Sequence, residues 1–138
     1  MLSEEASKVG RDIGLLLLRV VFGVLMIVGH GYGKWTSLPE KAASFPDPVG
    51  LGSELSMYLA VGAEFFCAGL VVVGLATRAA VIPLIVTMSV AAFVVHGGDP
   101  LGDRETALLY GTAFATLLVA GPGRISLDGV IAFLRRAR

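Results

Sequence analysis

The run Ile13–Trp35, IGLLLLRVVFGVLMIVGHGYGKW, decides the fold. About twenty of its residues are apolar enough to cross a bilayer, yet Arg19 lies inside the run and His30 closes it. At roughly 100° per residue, Arg19, Gly23, Met26 and His30 return to one side of a helix, and the opposite side is Leu and Val. A charge at membrane depth costs at least about 2.5–3.5 kcal/mol and therefore turns toward the inside of a bundle, where it meets a partner. The remaining sequence is then a search for that partner.

Composition agrees with a membrane-embedded chain. Of 138 residues, 55% are hydrophobic and 16% charged, too little polar surface for a soluble globule of one domain. Eleven basic and eleven acidic residues cancel, so no nucleic-acid partner is expected. The single cysteine, Cys67, excludes an internal disulfide and reads as a small buried hydrophobe. The first apolar run exceeds the 7–15 residues of a signal-peptide core, and no A-x-A-like site follows it, so it is expected to be retained.

Four spans follow, at about 13–32, 54–75, 79–96 and 104–120, in one domain covering 1–138. Met1–Asp12 is polar and is expected to be a frayed or interfacial tail. Tyr32, Lys34 and Trp35 read as interface anchors at the end of the first span. Thr36–Ser53 holds Pro39, Pro46 and Pro48, which predict a long non-helical connection folding back as a lid over the bundle mouth. The short link Ala76–Arg78 makes the second and third spans antiparallel neighbours. In the tail, Leu127, Val130, Ile131 and Leu134 at helical spacing, followed by Arg135 and Arg136, predict a short amphipathic helix on the membrane surface. Seven basic residues (Lys8, Arg11, Arg78, Arg124, Arg135, Arg136, Arg138) lie on the side of the termini, against three (Lys34, Lys41, Arg104) on the other. Both termini are therefore expected in the cytoplasm, giving an all-α, antiparallel four-helix transmembrane bundle in a bacterial inner membrane.

Depth estimates bring Glu64 and Arg19 within reach of each other, and they are expected to form a structural pair locking the first two helices. A second set sits in the outward half: His30, His96 and Glu105 at helix ends, with Ser89 seven residues before His96 and Thr112 on the stripe of Glu105. Glu64, His30 and His96 are the candidates for proton transfer or head-group binding, and Arg19, Glu105, Ser89 and Thr112 would line the pocket. Carboxylates and imidazoles in such a pocket suit a quinone or hydroquinone head group. A divalent metal and a small-solute path along Arg19 are the alternatives. No H-x-x-x-H or E-x-x-H spacing supports the metal.

Several segments resemble the DoxX family. LLRVVFGVLMIVGHGYGKW matches its opening, EFFCAGLVVVGLATRAA its second signature, and the acidic start of helix four at Glu105 and the closing GPGRISLD fit as well. The resemblance implies a small four-span bacterial membrane protein tied to redox work. Relatives include a thiosulfate:quinone oxidoreductase subunit and proteins linked to quinone or catechol resistance. Carried across by position, Arg19, His30, Glu64, Arg78 and His96 match the family's recurrent polar residues. Nothing in the sequence supplies a redox centre: there is neither a Cys pair nor a flavin or dinucleotide motif. The expected role is thus a membrane subunit of an oxidoreductase system that binds quinone. A membrane anchor for soluble redox enzymes at the cytoplasmic face, a homo-oligomer, or a small-solute transporter stay open beside it.

Overall fold

The computed structural model describes residues 2–137, and among them there are helices and connections but no strand. Three helices are long and apolar enough to cross a membrane: α1 (Ser3–Thr36), α2 (Ser53–Val73) and α3 (Thr77–Val95). A fourth, α4 (Leu101–Ala120), packs along α3, and a short α5 (Leu127–Arg136) follows. At 1.5 Å per residue α4 is about 30 Å long. Its first turns carry Asp103, Arg104 and Glu105, which make it less apolar than the other three.

Side-chain contacts fix the directions. Gly23 faces Ala68 and Val72 while Gly31 faces Glu64, so α1 and α2 run antiparallel. Arg78 donates to the Val119 carbonyl, Gly111 lies against Met88, and the Arg104 guanidinium sits 5.4 Å over the Phe93 ring, which makes α3 and α4 antiparallel too. The core between them is apolar: Met26, Val71, Val81, Leu84, Phe114 and Leu117 are fully buried. Leu17, Val21, Leu25 and Val28 on the other side of α1 are exposed, the face expected to meet lipid.

Of the two expectations for the N-terminal segment, a frayed or an interfacial tail, the frayed one is corrected. The segment is the start of α1, with Glu4 and Glu5 in the first turn and a Lys8–Glu4 pair at 3.0 Å. Acidic residues at a helix start and a pair at i,i+4 spacing both favour helix, each by a few tenths of a kcal/mol. The amphipathic tail is helical, capped by Ser126, whose Oγ accepts from the Gly129 amide at 3.0 Å.

The most buried charge is Arg19, 1% exposed. Its guanidinium donates to the carbonyls of Val71 (3.4 Å) and Val72 (3.3 Å) at the end of α2, and to the Ile125 carbonyl just before α5. The last carbonyls of a helix have no intrahelical partner, and a five-donor guanidinium satisfies several at once. Gly74, at φ +73°, is the residue that allows this. A Cβ there would overlap the Arg19 guanidinium and come within 2.5 Å of the Ser126 Cβ. Asp128 completes the knot by accepting from the Ala76 and Thr77 amides at 2.8 and 2.9 Å.

The expected Arg19–Glu64 pair is therefore corrected. Arg19 is level with Val71 and Val72, and seven residues of α2 separate Val71 from Glu64, about 11 Å along the axis. Carbonyls and Asp128 answer the cation instead.

Burial pushes the Asp128 carboxyl up, but the amides of Thr77 and Ala76 and the charge of Arg19 outweigh it and hold it below its ordinary value. A carboxylate so depressed adds stability that is complete above its unfolded value near pH 4 and is lost as pH falls through the lower folded value. Asp128→Asn is expected to cost about 1–2 kcal/mol at pH 7 and nothing at the acid end. Unfolding in mixed micelles between pH 3 and 7 checks this, and a constant difference across that range contradicts it.

Candidate functional site

Each spanning helix contains one π-type turn: Ile27–Gly31 in α1, Gly62–Cys67 in α2 and Ala91–Val95 in α3. Such turns bond i to i+5, place one extra residue in the helix and are frequent at functional sites. The first two meet face to face. A Cβ at Gly31 would overlap the Glu64 carbonyl oxygen and lie 2.6 Å from its carbonyl carbon, so only glycine allows this approach.

The close approach brings Lys34, one turn beyond Gly31, against Glu64. Lys34 Nζ donates to Glu64 Oε2 at 2.6 Å, with side-chain exposures of 27% and 5%. This partly buried pair lies in the wall of a cavity of about 280 Å³, at the lower end of the range for small-molecule sites. The rest of the wall is mostly apolar: Leu59 and Ala60 from α2, Val90, Ala91 and Val95 from α3, with Ser56 and Thr87 as the other polar groups. Phe45, Pro46, Pro48, Val49 and Leu51 of the α1–α2 connection lie over it, but the connection is not wholly non-helical as expected, since Leu38–Lys41 and Ala42–Ser44 form short helical turns.

Asp47 holds that connection in shape. Its carboxylate accepts from the Leu51 and Gly52 amides at 2.9 and 2.8 Å and from Ser56 Oγ at 2.9 Å. The Gly52 amide leads the contacts that keep the Asp47 carboxyl below its usual value, although burial opposes them. The roof is thereby tied to the first turn of α2. Beside the pair, Trp35 packs on Phe65 with ring centroids 4.4 Å apart.

Of the residues singled out in the sequence, Glu64 lines this cavity and the others lie elsewhere. His30 packs edge-on against Tyr110, 5.6 Å between centroids, inside the α1–α4 contact. His96 is half-exposed and bonded through Nδ1 to Asp99 at 2.8 Å. Glu105, Ser89 and Thr112 are exposed on the bundle exterior. Two physical reasons account for this. Ser89 lies about 200° round α3 from Thr87, so only Thr87 turns to the cavity, and the π-type turn at Ala91–Val95 breaks the seven-residue relation between Ser89 and His96. The Thr112 hydroxyl donates to the Leu108 carbonyl at 2.8 Å, so its own helix satisfies it and no interior partner is required. Lys34, read as an interface anchor, is the residue the sequence reading missed. Its position four residues after His30 and its level with Glu64 on an antiparallel neighbour are the signals that could have found it. Among the described residues no group of three His, Cys, Asp or Glu side chains gathers as a metal site.

Chemically, the cavity offers one ammonium and one carboxylate at the edge of an apolar chamber. A carbonyl oxygen entering it can accept from Lys34, and a phenol hydroxyl can donate to Glu64.

Comparison with known proteins bears on the whole of this arrangement. The chain is 28% identical over 131 residues to an uncharacterized protein of Haemophilus influenzae, covering 89% of this chain and 86% of that one. No solved structure matches. The DoxX family model matches residues 14–97, which take in Arg19, the facing glycines, the Lys34–Glu64 pair and its roof. The chain belongs to the DoxX family.

Proposed function

We propose that the protein is a multi-pass membrane subunit of an oxidoreductase system and holds a quinone-type molecule in the roofed cavity. In this reading α4 is a fourth span, both termini face the cytoplasm, and the membrane is a bacterial inner membrane. The count of seven basic residues against three supports the orientation. With one cysteine and no dinucleotide or flavin motif in the chain, electrons for the quinone are exchanged with partner redox enzymes rather than with a centre of its own.

The observation that carries the reading is the Lys34–Glu64 pair set in a mostly apolar, loop-covered chamber. A buried ion pair is weak evidence for stability, because desolvation offsets much of its Coulomb energy. A polar pair that instead orients a ligand oxygen while the ring contacts Leu59, Val90 and Val95 accounts for both the charges and the apolar walls. His30 and His96 then have no part in binding, in contrast to the expectation from sequence.

Trp35, the one tryptophan, stands beside Lys34 and reports the site, since quinones quench indole fluorescence. Titration of detergent-purified protein with a short-tailed quinone is expected to quench Trp35 saturably. Lys34→Met and Glu64→Gln are expected to weaken binding about tenfold or more, the equivalent of one charge-assisted hydrogen bond, and His96→Ala to leave it unchanged. Equal affinities in wild type and both site variants remove the quinone from the cavity.

A further inference from the structure

At the opposite end of the bundle, α5 and the turn before it enclose a groove of about 1170 Å³ that the function above does not use. Three cations line it: Arg78 from the first turn of α3, Arg124 from the turn, and Arg136 from the end of α5. Among the described residues none of the three pairs with a carboxylate within 4.0 Å. The two acids in the wall are already engaged: Asp12 accepts from the Arg124 amide at 3.1 Å, and Asp128 from the Ala76 and Thr77 amides. Three guanidinium groups against two carboxylates leave the groove net cationic, and the amides hold both carboxylates away from these three arginines. Its shape is fixed by Gly121 and Gly123, at φ +81° and +79°. The first lies under the Arg78 guanidinium and the second against Leu15 and Asp12.

The rim is apolar. Val9, Val130 and Phe133 border the groove and are exposed, continuous with exposed Leu127 and Leu134 of α5. Cations beside an exposed apolar strip, at the end of helices that cross a bilayer, match a molecule with an anionic phosphate and acyl chains. We propose that this groove is a binding site for an anionic phospholipid, its phosphate among Arg78, Arg124 and Arg136 and its chains against Val130 and Phe133. The lipid adds to the link that Asp128 already makes between α5 and the start of α3, and extends it to the beginning of α1.

A free phosphate would satisfy the same guanidinium groups, so the test separates the two sources. Detergent-purified full chain is titrated with phosphatidylglycerol, with phosphatidylcholine of identical chains, and with inorganic phosphate, and bound lipid is counted by native mass spectrometry. Phosphatidylglycerol is expected to bind at least tenfold tighter than phosphatidylcholine, and inorganic phosphate at millimolar concentration not to displace it. Each arginine near a lipid surface is worth about fivefold in affinity, so Arg124→Gln with Arg136→Gln is expected to lose about 25-fold. Both side chains are exposed and make no hydrogen bond that folding needs, which keeps the variant informative. Arg135→Gln removes a charge from the same helix outside the groove and is expected to leave the selectivity intact. Equal binding of the two lipids, displacement by phosphate, or an equal loss in Arg135→Gln would each overturn the proposal.

Discussion

Arg19→Met is expected to cost about 3–5 kcal/mol of stability, more than any other single change outside the apolar core. The substitution keeps most of the volume and removes the donors. The carbonyls of Val71, Val72 and Ile125 then lose their partner in an apolar surrounding, and Asp128 loses the cation beside it. Removing one member of a buried charged set carries that magnitude because the others are left uncompensated. Arg19→Lys is expected to recover only part of it, since an ammonium lacks the fork that reaches two helix-end carbonyls and a third on another segment. Unfolding equilibria in mixed micelles measure both. If Arg19→Met were as stable as the parent, the knot at Gly74 and Ile125 would have to be held by apolar packing alone.

The second large effect concerns a methyl group. Gly31→Ala places a Cβ into the Glu64 backbone, where no side chain can swing away. The helices must part, which is expected to cost about 2–3 kcal/mol and to separate Lys34 from Glu64. Quinone quenching of Trp35 should fall with it. Gly23→Ala meets chiefly the Val72 Cγ2, a side-chain atom that can rotate, and its cost should be smaller. At Gly33 a Cβ would meet nothing within 4 Å, so Gly33→Ala is expected to be neutral or stabilising by up to about 1 kcal/mol through helix propensity. An identical response at Gly31 and Gly33 would show that α1 and α2 do not approach as closely as described.

What could be read from the sequence divides along physical lines. The buried stripe was legible: Arg19, Gly23 and Met26 are interior and Leu17, Val21 and Val28 exterior, because burial in α1 follows the 3.6-residue period. The antiparallel α2–α3 hairpin, the proline-rich roof and the amphipathic α5 were legible from a short link, breakers and spacing. The family was legible from motifs at Arg19, His30 and Glu64. The partner of Arg19 was not, since a search for a carboxylate overlooks helix-end carbonyls, which no sequence letter marks. Nor were the π-type turns, whose one-residue insertions leave no trace in composition yet break the seven-residue relation that put Ser89 and His96 on one side. Hydroxyls on α4 misled for a related reason, because a threonine that bonds to its own helix can face outward.

The Ile125 carbonyl that Arg19 engages lies 106 residues further along the chain. During synthesis the first helix is made and placed long before that acceptor has left the ribosome. Its cation is fully covered only once residue 125 has been translated and has folded back onto the hairpin. Assembly therefore closes from the tail: a product ending before residue 125 keeps the Val71 and Val72 carbonyls as acceptors for Arg19 but lacks the Ile125 carbonyl and the charge of Asp128.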